Sequence, residues 1–397
     1  SDVLARKTRT QLQAEVLPPF LASQRWYAGA GQNIAQLELN LSQTWKTAEG
    51  KGWLPLLVRL QFETGITQSY FLPLGLLLGE AADQHYHALS PWMLAKARQR
   101  AREGILYDAL GEDTFCRFML DAIMAQMRLP FAAGEMVFSR TAAFPELPET
   151  IDINRPGMEQ SNTSIVYGGQ AILKVYRRVQ EGINPELEMG RFLTEISPCA
   201  SVPPLAGSLE YHAHGTVTAI GVLHRYVPNQ GTFWDCTLDY LGRYFKLCVD
   251  EPDRASDAGV HAVYLTQMET LGRRTAELHQ ALAKSTGNAA FDPELQPASE
   301  ITAQMAQLRT KLVTVFDKLE QALLQLPEQS RGICQRLLSR RLHLLNHLTY
   351  SLPIEPVLYK IRIHGNYHLA QILLTHNDFT ITDFEGDPSQ PLEVRRA

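Results

Sequence analysis

Three polar residues near the C-terminal end of the chain have the types and spacing that transfer of a phosphoryl group requires. Asn366 lies in a loop-forming stretch, Gln371 follows five residues later, and Asp383 comes twelve residues after Gln371. Phosphoryl transfer uses a residue that orients the acceptor hydroxyl, an amide or carboxylate shortly after it for a metal ion, and a second metal carboxylate. These positions therefore predict a phosphotransfer site.

Magnesium is the metal that this set of residues favours. Mg²⁺ prefers hard oxygen ligands, usually one or two carboxylates together with the phosphates of a substrate. Gln371 and Asp383 offer such oxygens, and two short predicted strands would hold them at a fixed distance from each other. We predict that Gln371 and Asp383 are the metal ligands.

A lysine in a predicted β-hairpin lies upstream of these residues. The runs 164–167 and 171–176 have β character and flank Gly168-Gly169, a typical hairpin turn. A helix should begin at Asn184-Pro185, because asparagine is a good N-cap and proline is favoured in the first turn. A kinase lobe requires this order of hairpin, Lys174 and helix. The alternative is an exposed strand lysine beside a solvated helix.

The elements around these motifs predict three regions. Residues 1–90 form an α/β cap subdomain, and residues 91–228 contain the nucleotide-binding hairpin and helix. Residues 229–397 are mostly helical and carry the catalytic and metal-binding loops.

The segment from Ser90 to about Leu129 is predicted to be helical, because Phe115, Met119 and Ile123 have helical spacing. Basic residues alternate with other residues in its first part: Lys96, Arg98, Arg100 and Arg102. We interpret them as a solvated helix face, and the alternative is a patch that tracks phosphates.

The bulk composition disfavours several classes of partner. The 397 residues carry 37 basic and 42 acidic side chains, which gives a formal net charge of −5. This charge gives no electrostatic reason to expect a nucleic acid or an anionic membrane as a partner. The 5 cysteines are scattered without a Cys-x-x-Cys pair, which favours a reducing cytoplasm and disfavours structural zinc. No long apolar run and no signal peptide is visible, so we predict a cytoplasmic location.

Longer motifs give the chain a specific resemblance. The residues from His364 to Gln371 read His-Gly-Asn-Tyr-His-Leu-Ala-Gln, and Asp383-Phe384-Glu385 follows. Further motifs are Gln24-Arg25-Trp26-Tyr27, Glu159-Gln160-Ser161, Leu173-Lys174-Val175-Tyr176-Arg177-Arg178, Asn184-Pro185-Glu186 and Pro391-Leu392-Glu393. Over nearly its whole length the chain resembles the maltokinase family, especially the maltokinase regions fused to trehalose synthase. The resemblance implies an α+β, bilobal protein-kinase-like fold of the aminoglycoside-phosphotransferase type, with an N-terminal α/β cap.

The same resemblance assigns residues to a nucleotide site. Lys174 would hold the α- and β-phosphates of ATP, and Glu188 would pair with it, although Glu186 competes for that role. His224 and Tyr226 belong to a hinge that would face adenine through its backbone. A polar segment replaces the Gly-rich loop of protein kinases: Ser161, Asn162, Thr163 and Ser164. Its backbone and hydroxyl groups could cradle phosphate, and the alternative is an ordinary polar turn.

Residues around the metal carboxylate would, by the resemblance, lie near a sugar. Glu385, Glu393, Arg395 and Arg396 suit bidentate hydrogen bonding to vicinal hydroxyls, and His364 would brace the loop beside them. For Glu393 and Arg396 the alternative is a surface charge. The implied substrate is maltose or a similar sugar, and the implied partner is a fused or associated trehalose synthase.

The chain departs from the family pattern in the catalytic loop. Family members carry His-Gly-Asp-x-His-x-Gly-Gln, whereas this chain has Asn366 for Asp and Ala370 for Gly. Asparagine cannot accept a proton, a role typically worth about 10²–10⁴-fold in rate, and Ala370 would be strained if its φ had to be positive. The resemblance thus implies a slow ATP-dependent maltokinase that produces maltose 1-phosphate. The alternatives are a catalytically impaired binding module associated with trehalose synthase and a kinase for another sugar or amino sugar.

Overall fold

The structure, a computed structural model, describes residues 6–41, 43–157, 161–255, 257–350, 358–387 and 390–396. It divides into two compact units, one of Ser1–Ala281 with His364–Ala397 and one of Leu282–Ile363. The sequence motif residues Glu159 and Gln160 lie outside the described residues. The predicted division into residues 1–90, 91–228 and 229–397 stays a prediction.

The first part of the larger unit combines short helices with small antiparallel sheets. The strand Leu56–Phe62 shows the alternation of a half-buried strand, since Val58 and Leu60 are buried and Arg59 is exposed. The elements, numbered in chain order, are α1 (Arg6–Gln11), a π turn (Leu12–Val16), α2 (Leu17–Ser23), β1 (Ile34–Leu41), β2 (Trp45–Lys46), β3 (Gly52–Trp53), β4 (Leu56–Phe62), β5 (Thr67–Phe71), β6 (Leu74–Leu78), α3 (Glu80–Leu89), β7 (Met93–Gln99), β8 (Arg102–Asp108) and α4 (Asp113–Met124).

The predicted helix from Ser90 to Leu129 is wrong over its first half. Residues 93–108 form β7 and β8, which belong with β6 to a three-stranded sheet in the order β6-β8-β7. The helical parts of the segment are α4 and two 3₁₀ turns, Ser90–Trp92 and Ala109–Gly111. The basic residues alternate with a period of two, which is the strand period, and Lys96 and Arg98 are exposed on β7. Their side chains form a solvated face, as interpreted, but on a strand.

A seven-stranded antiparallel sheet follows and carries the predicted hairpin. Its order is β11-β12-β13-β16-β15-β10-β9. Gly168 and Gly169, at φ 54° and 65°, form the turn between β12 and β13, as predicted. The elements are β9 (Arg128–Phe131), β10 (Gly134–Arg140), β11 (Ile153–Asn154), β12 (Asn162–Tyr167), β13 (Ala171–Tyr176), β14 (Arg178–Val179), α5 (Pro185–Arg191), a π turn (Phe192–Ile196), β15 (Leu205–Ala213) and β16 (Thr216–Arg225).

Helix α5 begins where the sequence predicts it. The side chain of Asn184 accepts a hydrogen bond from the backbone N–H of Leu187 at 3.0 Å, and Pro185 follows as the first helical residue. The cap satisfies one of the backbone donors that a helix start leaves unpaired. It therefore fixes the position at which the glutamates of α5 begin.

The chain passes from the seven-stranded sheet to the cap sheet at Arg177. Directly after it, β14 pairs with β5 and completes a four-stranded sheet in the order β1-β4-β5-β14. The Arg177 side chain is 0% exposed and lies 2.7 Å from Asp108, which is 1% exposed. It also donates to the Thr163 hydroxyl at 2.7 Å and lies 5.1 Å over the Trp26 ring. One buried arginine thus joins three parts of the unit.

Helices dominate the remainder of both units. Those of the larger unit are α6 (Phe233–Asp250), α7 (Pro252–Ala255) and α8 (Ala262–Leu282). The smaller unit contains β17 (Glu294–Gln296), α9 (Ala298–Ala322), α10 (Glu328–Ser339), α11 (Arg341–Tyr350) and β18 (Leu358–Lys360). Within the described part of the chain, no helix has the length and apolar character needed to cross a membrane.

The last elements of the larger unit are a two-stranded hairpin, which packs against α6, and a short helix. They are β19 (Ile372–Thr375), β20 (Asp378–Ile381) and α12 (Leu392–Arg395). Ile372 and Phe379 of the hairpin pack with Phe233 and Leu271 in a small apolar core. This core holds both ends of the hairpin, where Gln371 and Asp383 lie.

Candidate active site

Lys174 on β13 lies at the centre of three carboxylates. Its Nζ atom is 3.1 Å from Oε2 of Glu186, 2.5 Å from Oδ1 of Asp383 and 2.5 Å from Oε1 of Glu385. Burial alone would lower the pKa of Lys174, but the carboxylates raise it well above its ordinary value. The three carboxylates together carry more negative charge than the single ammonium group of Lys174 neutralises. The cluster can therefore attract a further cation.

The partner of Lys174 on α5 is Glu186, so the preference for Glu188 is wrong. Glu186 is buried and also accepts a hydrogen bond from the Tyr176 hydroxyl at 2.6 Å. Glu188 lies two residues further along the helix, about 200° around its axis. It forms a two-pronged ion pair with Arg396, at 2.9 and 2.6 Å. Burial raises the pKa of Glu186, and Lys174 opposes this effect.

The predicted phosphate segment is the start of β12 rather than a loop. Side chains of a strand point alternately to opposite faces, and Ser161, Asn162 and Ser164 line the large cavity in front of Lys174. Thr163 points the other way and accepts the hydrogen bond from Arg177. The predicted phosphate contact of its side chain therefore does not fit the structure.

Asn366 lies in a loop that His364 braces. The His364 ring is buried, donates through Nε2 to the Thr382 carbonyl at 2.9 Å, and lies 4.6 Å from the ring of Phe384. Its Nδ1 accepts a hydrogen bond from the backbone N–H of Asn366 at 3.4 Å. Burial lowers the pKa of His364, which favours this neutral form. The bracing predicted for His364 fits these contacts.

Two glycines allow the loop that carries Asn366 to pack closely against the loop that follows Asp383. Gly365 and Gly386 have φ of 80° and 72°, and a Cβ on Gly365 would lie 3.0 Å from the Cα of Gly386. A larger residue at Gly365 would push the loops apart. Ala370 does not adopt a positive φ, so the strain considered for it does not arise.

Gln371 and Asp383 are adjacent, as their spacing predicts. The Gln371 amide donates to Oδ2 of Asp383 at 2.6 Å. Burial would raise the pKa of Asp383, but Lys174 and Gln371 lower it below its ordinary value. Asp383 is thus kept ionised in a largely buried place.

The donor set at Lys174 fits Mg²⁺. Carboxylate oxygens of Glu186, Asp383 and Glu385 lie within 4.8 Å of one another, and the side-chain amide of Gln371 contacts Asp383. Hard oxygens are the ligands that Mg²⁺ prefers. The observed contacts of Glu385 are with Lys174 and Asn162. Its carboxylate is a suitable metal ligand, and its predicted contact with the sugar stays a prediction.

The predicted hinge forms one wall of the same cavity, which has a volume of about 850 Å³. The side chain of His224 donates to the Pro203 carbonyl at 3.2 Å, and burial lowers the pKa of His224 to about 4. Tyr226 also lines the cavity, but its backbone N–H donates to the Gln170 carbonyl. Any contact of Tyr226 with adenine must therefore use another group.

The cavity gathers eleven of the predicted residues: Ser161, Asn162, Ser164, Lys174, His224, Tyr226, Asn366, Gln371, Asp383, Glu385 and Arg395. Among the described residues, five predicted ones do not line it: Thr163, Glu188, His364, Glu393 and Arg396. Glu393 is exposed in the first turn of α12. The predicted roles of Glu393 and Arg396 at the sugar stay predictions.

No role was predicted for Arg25 and Arg178, which also line the cavity. Arg25 belongs to the Gln24-Arg25-Trp26-Tyr27 motif, far from the hairpin in sequence, and Arg178 follows the hairpin lysine by four residues. The only signal for them was membership in two motifs shared with the family. Their convergence required the packing of the cap sheet through β14.

The hairpin lysine with its helix glutamate, and the loop with its following carboxylate, define a kinase-like fold of the α+β class with an N-terminal cap. Residues 20–112 match the family model of the maltokinase N-terminal cap domain. The cap is therefore of the maltokinase type, as the resemblance predicted. The start of the match lies in the same segment as Arg25.

Solved structures of glucosamine kinase are similar to most of the chain. The complex with glucosamine, ADP and inorganic phosphate is 17% identical with a TM-score of 0.55, and the match covers 96% of this chain and 74% of that one. A second crystal form, also 17% identical with a TM-score of 0.55, matches 92% of this chain and 70% of its own length. At this identity the similarity shows the fold, and the predicted kinase-like fold is confirmed.

Proposed function

We propose that the protein transfers the γ-phosphate of ATP to the anomeric hydroxyl of maltose and forms maltose 1-phosphate. The observation that carries this proposal is the convergence of Lys174, Asp383 and Asn366 on one cavity. The cap of the maltokinase type supports a sugar as the acceptor. Transfer forms a bond between the acceptor oxygen and the γ-phosphorus, breaks the bond to the β-phosphate oxygen, and releases ADP.

Each residue of the cluster has a defined task in this reaction. Lys174 holds the α- and β-phosphates, and Glu186 with Tyr176 fixes the position of its ammonium group. Gln371, Asp383 and Glu385 would hold Mg²⁺, which when bound would neutralise charge on the transferring phosphoryl group. His364 keeps the Asn366 loop against Thr382.

Asn366 determines the speed of the reaction. Its amide oxygen can accept a hydrogen bond from the sugar hydroxyl and orient it, but it cannot take the proton, which must leave to water. Positioning and metal ions supply much of the catalysis in phosphoryl transfer. We therefore expect slow turnover rather than none.

Replacing Asn366 by aspartate tests the proposal. The carboxylate restores a proton acceptor, so kcat with maltose should rise about 10²–10⁴-fold, while the KM for ATP should change little. The measurement is ADP release with Mg²⁺, ATP and maltose, with ³¹P NMR to identify maltose 1-phosphate. The control is Asn366→Ala, which offers no proton acceptor and should show no gain.

An Asn366→Asp protein that binds ATP but releases no ADP with maltose would contradict the assignment of maltose. The same protein is then assayed with glucose, glucosamine and other amino sugars. Release of ADP with one of these would identify a kinase with another acceptor, since one fold serves many acceptors.

A second candidate is a binding module with impaired catalysis that associates with trehalose synthase. Asn366 favours it, because the residues around Lys174 can hold nucleotide and metal without a proton acceptor. Calorimetry of the unaltered chain with Mg²⁺-ATP and with maltose would show binding while both the chain and its Asn366→Asp variant show no turnover. Turnover by the unaltered chain would reject this candidate, and co-elution with trehalose synthase would test the association.

A further inference from the structure

We infer that the cap takes part in nucleotide binding, with Arg25 and Arg178 contacting the terminal phosphate of the nucleoside triphosphate whose inner phosphates lie at Lys174. This inference rests on the proposed function, because it takes the ligand to be a nucleotide. It adds a binding site that the cap and β14 build together.

The charges of the cavity call for an anion larger than Lys174 alone can bind. Its lining contains five cationic side chains, namely Arg25, Lys174, Arg178, Arg225 and Arg395, against three carboxylates, namely Glu186, Asp383 and Glu385. All three carboxylates are engaged at Lys174. A metal ion held by them would make the cavity more positive still. A triphosphate is the substrate group with enough negative charge to match.

Three cations of this cavity have no protein partner for their charge among the described residues: Arg25, Arg178 and Arg225. Arg225 is the last residue of β16, next to the hinge residue His224, whereas the cap segment and β14 supply Arg25 and Arg178. None of the three forms an ion pair or a side-chain hydrogen bond with another residue in the described part of the chain, and Arg25 is exposed. A guanidinium group offers forked donors that match a phosphate. Two of them facing one cavity repel each other unless an anion lies between them.

The backbone that carries Arg25 is firmly held. The next residue, Trp26, is buried beneath the Arg177 guanidinium at 5.1 Å, and the N–H of Ala28 donates to the Tyr70 hydroxyl at 3.2 Å. Tyr70 is also the strand partner of Arg178. One buried tyrosine thus anchors the segments of both arginines, so that they are placed before any ligand binds.

Arg395 of α12 adds a third cation near Arg178. It donates to the side chain of Gln180 at 3.4 Å and to the backbone carbonyl of Gln390 at 2.8 Å. Burial and then the charge of Arg178 lower the pKa of Arg395, while Glu385 and Asp387 oppose the shift. The two arginines are therefore close enough to interact, and an anion between them would relieve their repulsion.

The test compares nucleotides with and without a third phosphate. Arg25→Ala and Arg178→Ala should each weaken binding of the non-hydrolysable analogue adenylyl imidodiphosphate about tenfold, because each removes a charge-assisted hydrogen bond. Binding of ADP should change less than about twofold. Calorimetry with Mg²⁺ measures both affinities, and Arg25→Lys should retain part of the difference because it keeps the charge.

The matched control is Arg59→Ala, which removes an exposed arginine of β4 outside the cavity and should leave both affinities unchanged. Thermal unfolding of every variant checks that it folds like the unaltered chain. Equal weakening of ADP and of the analogue, or weakening of neither, would overturn the role of Arg25 and Arg178 while leaving the proposed function intact. Failure of the unaltered chain to bind either nucleotide would overturn the proposed function and this inference with it.

Discussion

The backbone of Asp383 is in the left-handed region, with φ of 68°. Aspartate tolerates this region better than most residues, and such conformations cost on the order of 1–3 kcal/mol unless the surroundings hold them. Lys174 and Gln371 both bond the carboxylate. The side chain is therefore aimed at the cavity before nucleotide or metal arrives.

His224 makes the stability of the protein depend on pH. Its pKa is lowered to about 4 by burial, whereas an unfolded histidine titrates near about 6.5. Between these two pH values the unfolded chain binds more protons than the folded protein. The contribution of neutral His224 to the free energy of unfolding is therefore fully present above about pH 6.5 and is lost as the pH drops towards 4. The loss is at most about 3 kcal/mol. Urea unfolding at several pH values in EDTA measures it.

The matched comparison for His224 is His224→Gln, which keeps a polar side chain without the titration. The free energy of unfolding of the variant should fall less between pH 6.5 and 4 than that of the unaltered chain. Burial raises the pKa of Glu186, so the contribution of Glu186 to the free energy of unfolding increases as the pH falls. The role of His224 is therefore read from the difference between the unaltered chain and His224→Gln. Identical slopes would show that His224 does not remain neutral in the folded protein.

At the residue scale, it was easier to predict which residue types form the site than to predict the direction in which each side chain points. Spacing predicts that Gln371 and Asp383 meet, because one short hairpin separates them. It does not decide between Glu186 and Glu188, since that choice depends on how far α5 turns after its cap. Thr163 was misplaced for a similar reason, because the start of β12, which sets its face, was predicted two residues too late.

At the scale of elements, the junction at Arg177 shows how the cap joins the nucleotide-binding sheet. Strand β12 supplies Thr163, the end of β8 supplies Asp108, and the segment before β1 supplies Trp26. Burial raises the pKa of Asp108 even beside Arg177. A buried charge pair of this kind is costly and is kept where geometry has to be fixed.

Removing one partner of the Arg177–Asp108 pair should be strongly destabilising. Arg177→Met leaves an uncompensated buried carboxylate and should lower the free energy of unfolding by about 3–5 kcal/mol. Asp108→Asn removes the charge but keeps the acceptor for the Leu110 N–H. The double variant should lose less than the sum of the single changes, which denaturant unfolding measures.

The control for this pair is the surface ion pair of Arg128 and Glu135, whose side chains are 64% and 40% exposed. Arg128→Ala should change stability by about 1 kcal/mol or less. Strictly additive effects of Arg177→Met and Asp108→Asn would show that the two side chains do not interact in the folded protein.

The elements were predicted correctly where the sequence carries a strong local signal for a turn or for the start of a helix. The glycine pair between β12 and β13 and the cap of α5 carry strong local signals. The stretch 93–108 was misassigned because the helical spacing of Phe115, Met119 and Ile123 was extended backwards over strands. The pairing of β14 with β5 has no local signal, since it is set by the packing around Arg177.

For the whole molecule, the proposed ligand should act as a stabiliser. A ligand that binds only the folded state at a concentration 100 times its Kd adds about 2.7 kcal/mol to the free energy of unfolding. Mg²⁺ with adenylyl imidodiphosphate should therefore raise Tm, and chelation of Mg²⁺ should remove most of the gain. Asp383→Asn should show little response to Mg²⁺, whereas Asn366→Asp should respond like the unaltered chain. An equal rise in EDTA would contradict a metal-dependent site.

The bonds that close the site join residues far apart in the sequence. Arg396 bonds Glu188 across 208 positions, Lys174 bonds Asp383 across 209, and Asn162 bonds Glu385 across 223. Closing such long loops costs entropy before any contact rewards it, and it slows folding. On the ribosome, the hairpin with Lys174 is made about two hundred residues before its partners. The cap and the seven-stranded sheet can thus form during synthesis, whereas the nucleotide site can be completed only after Asp383 and Glu385 have emerged.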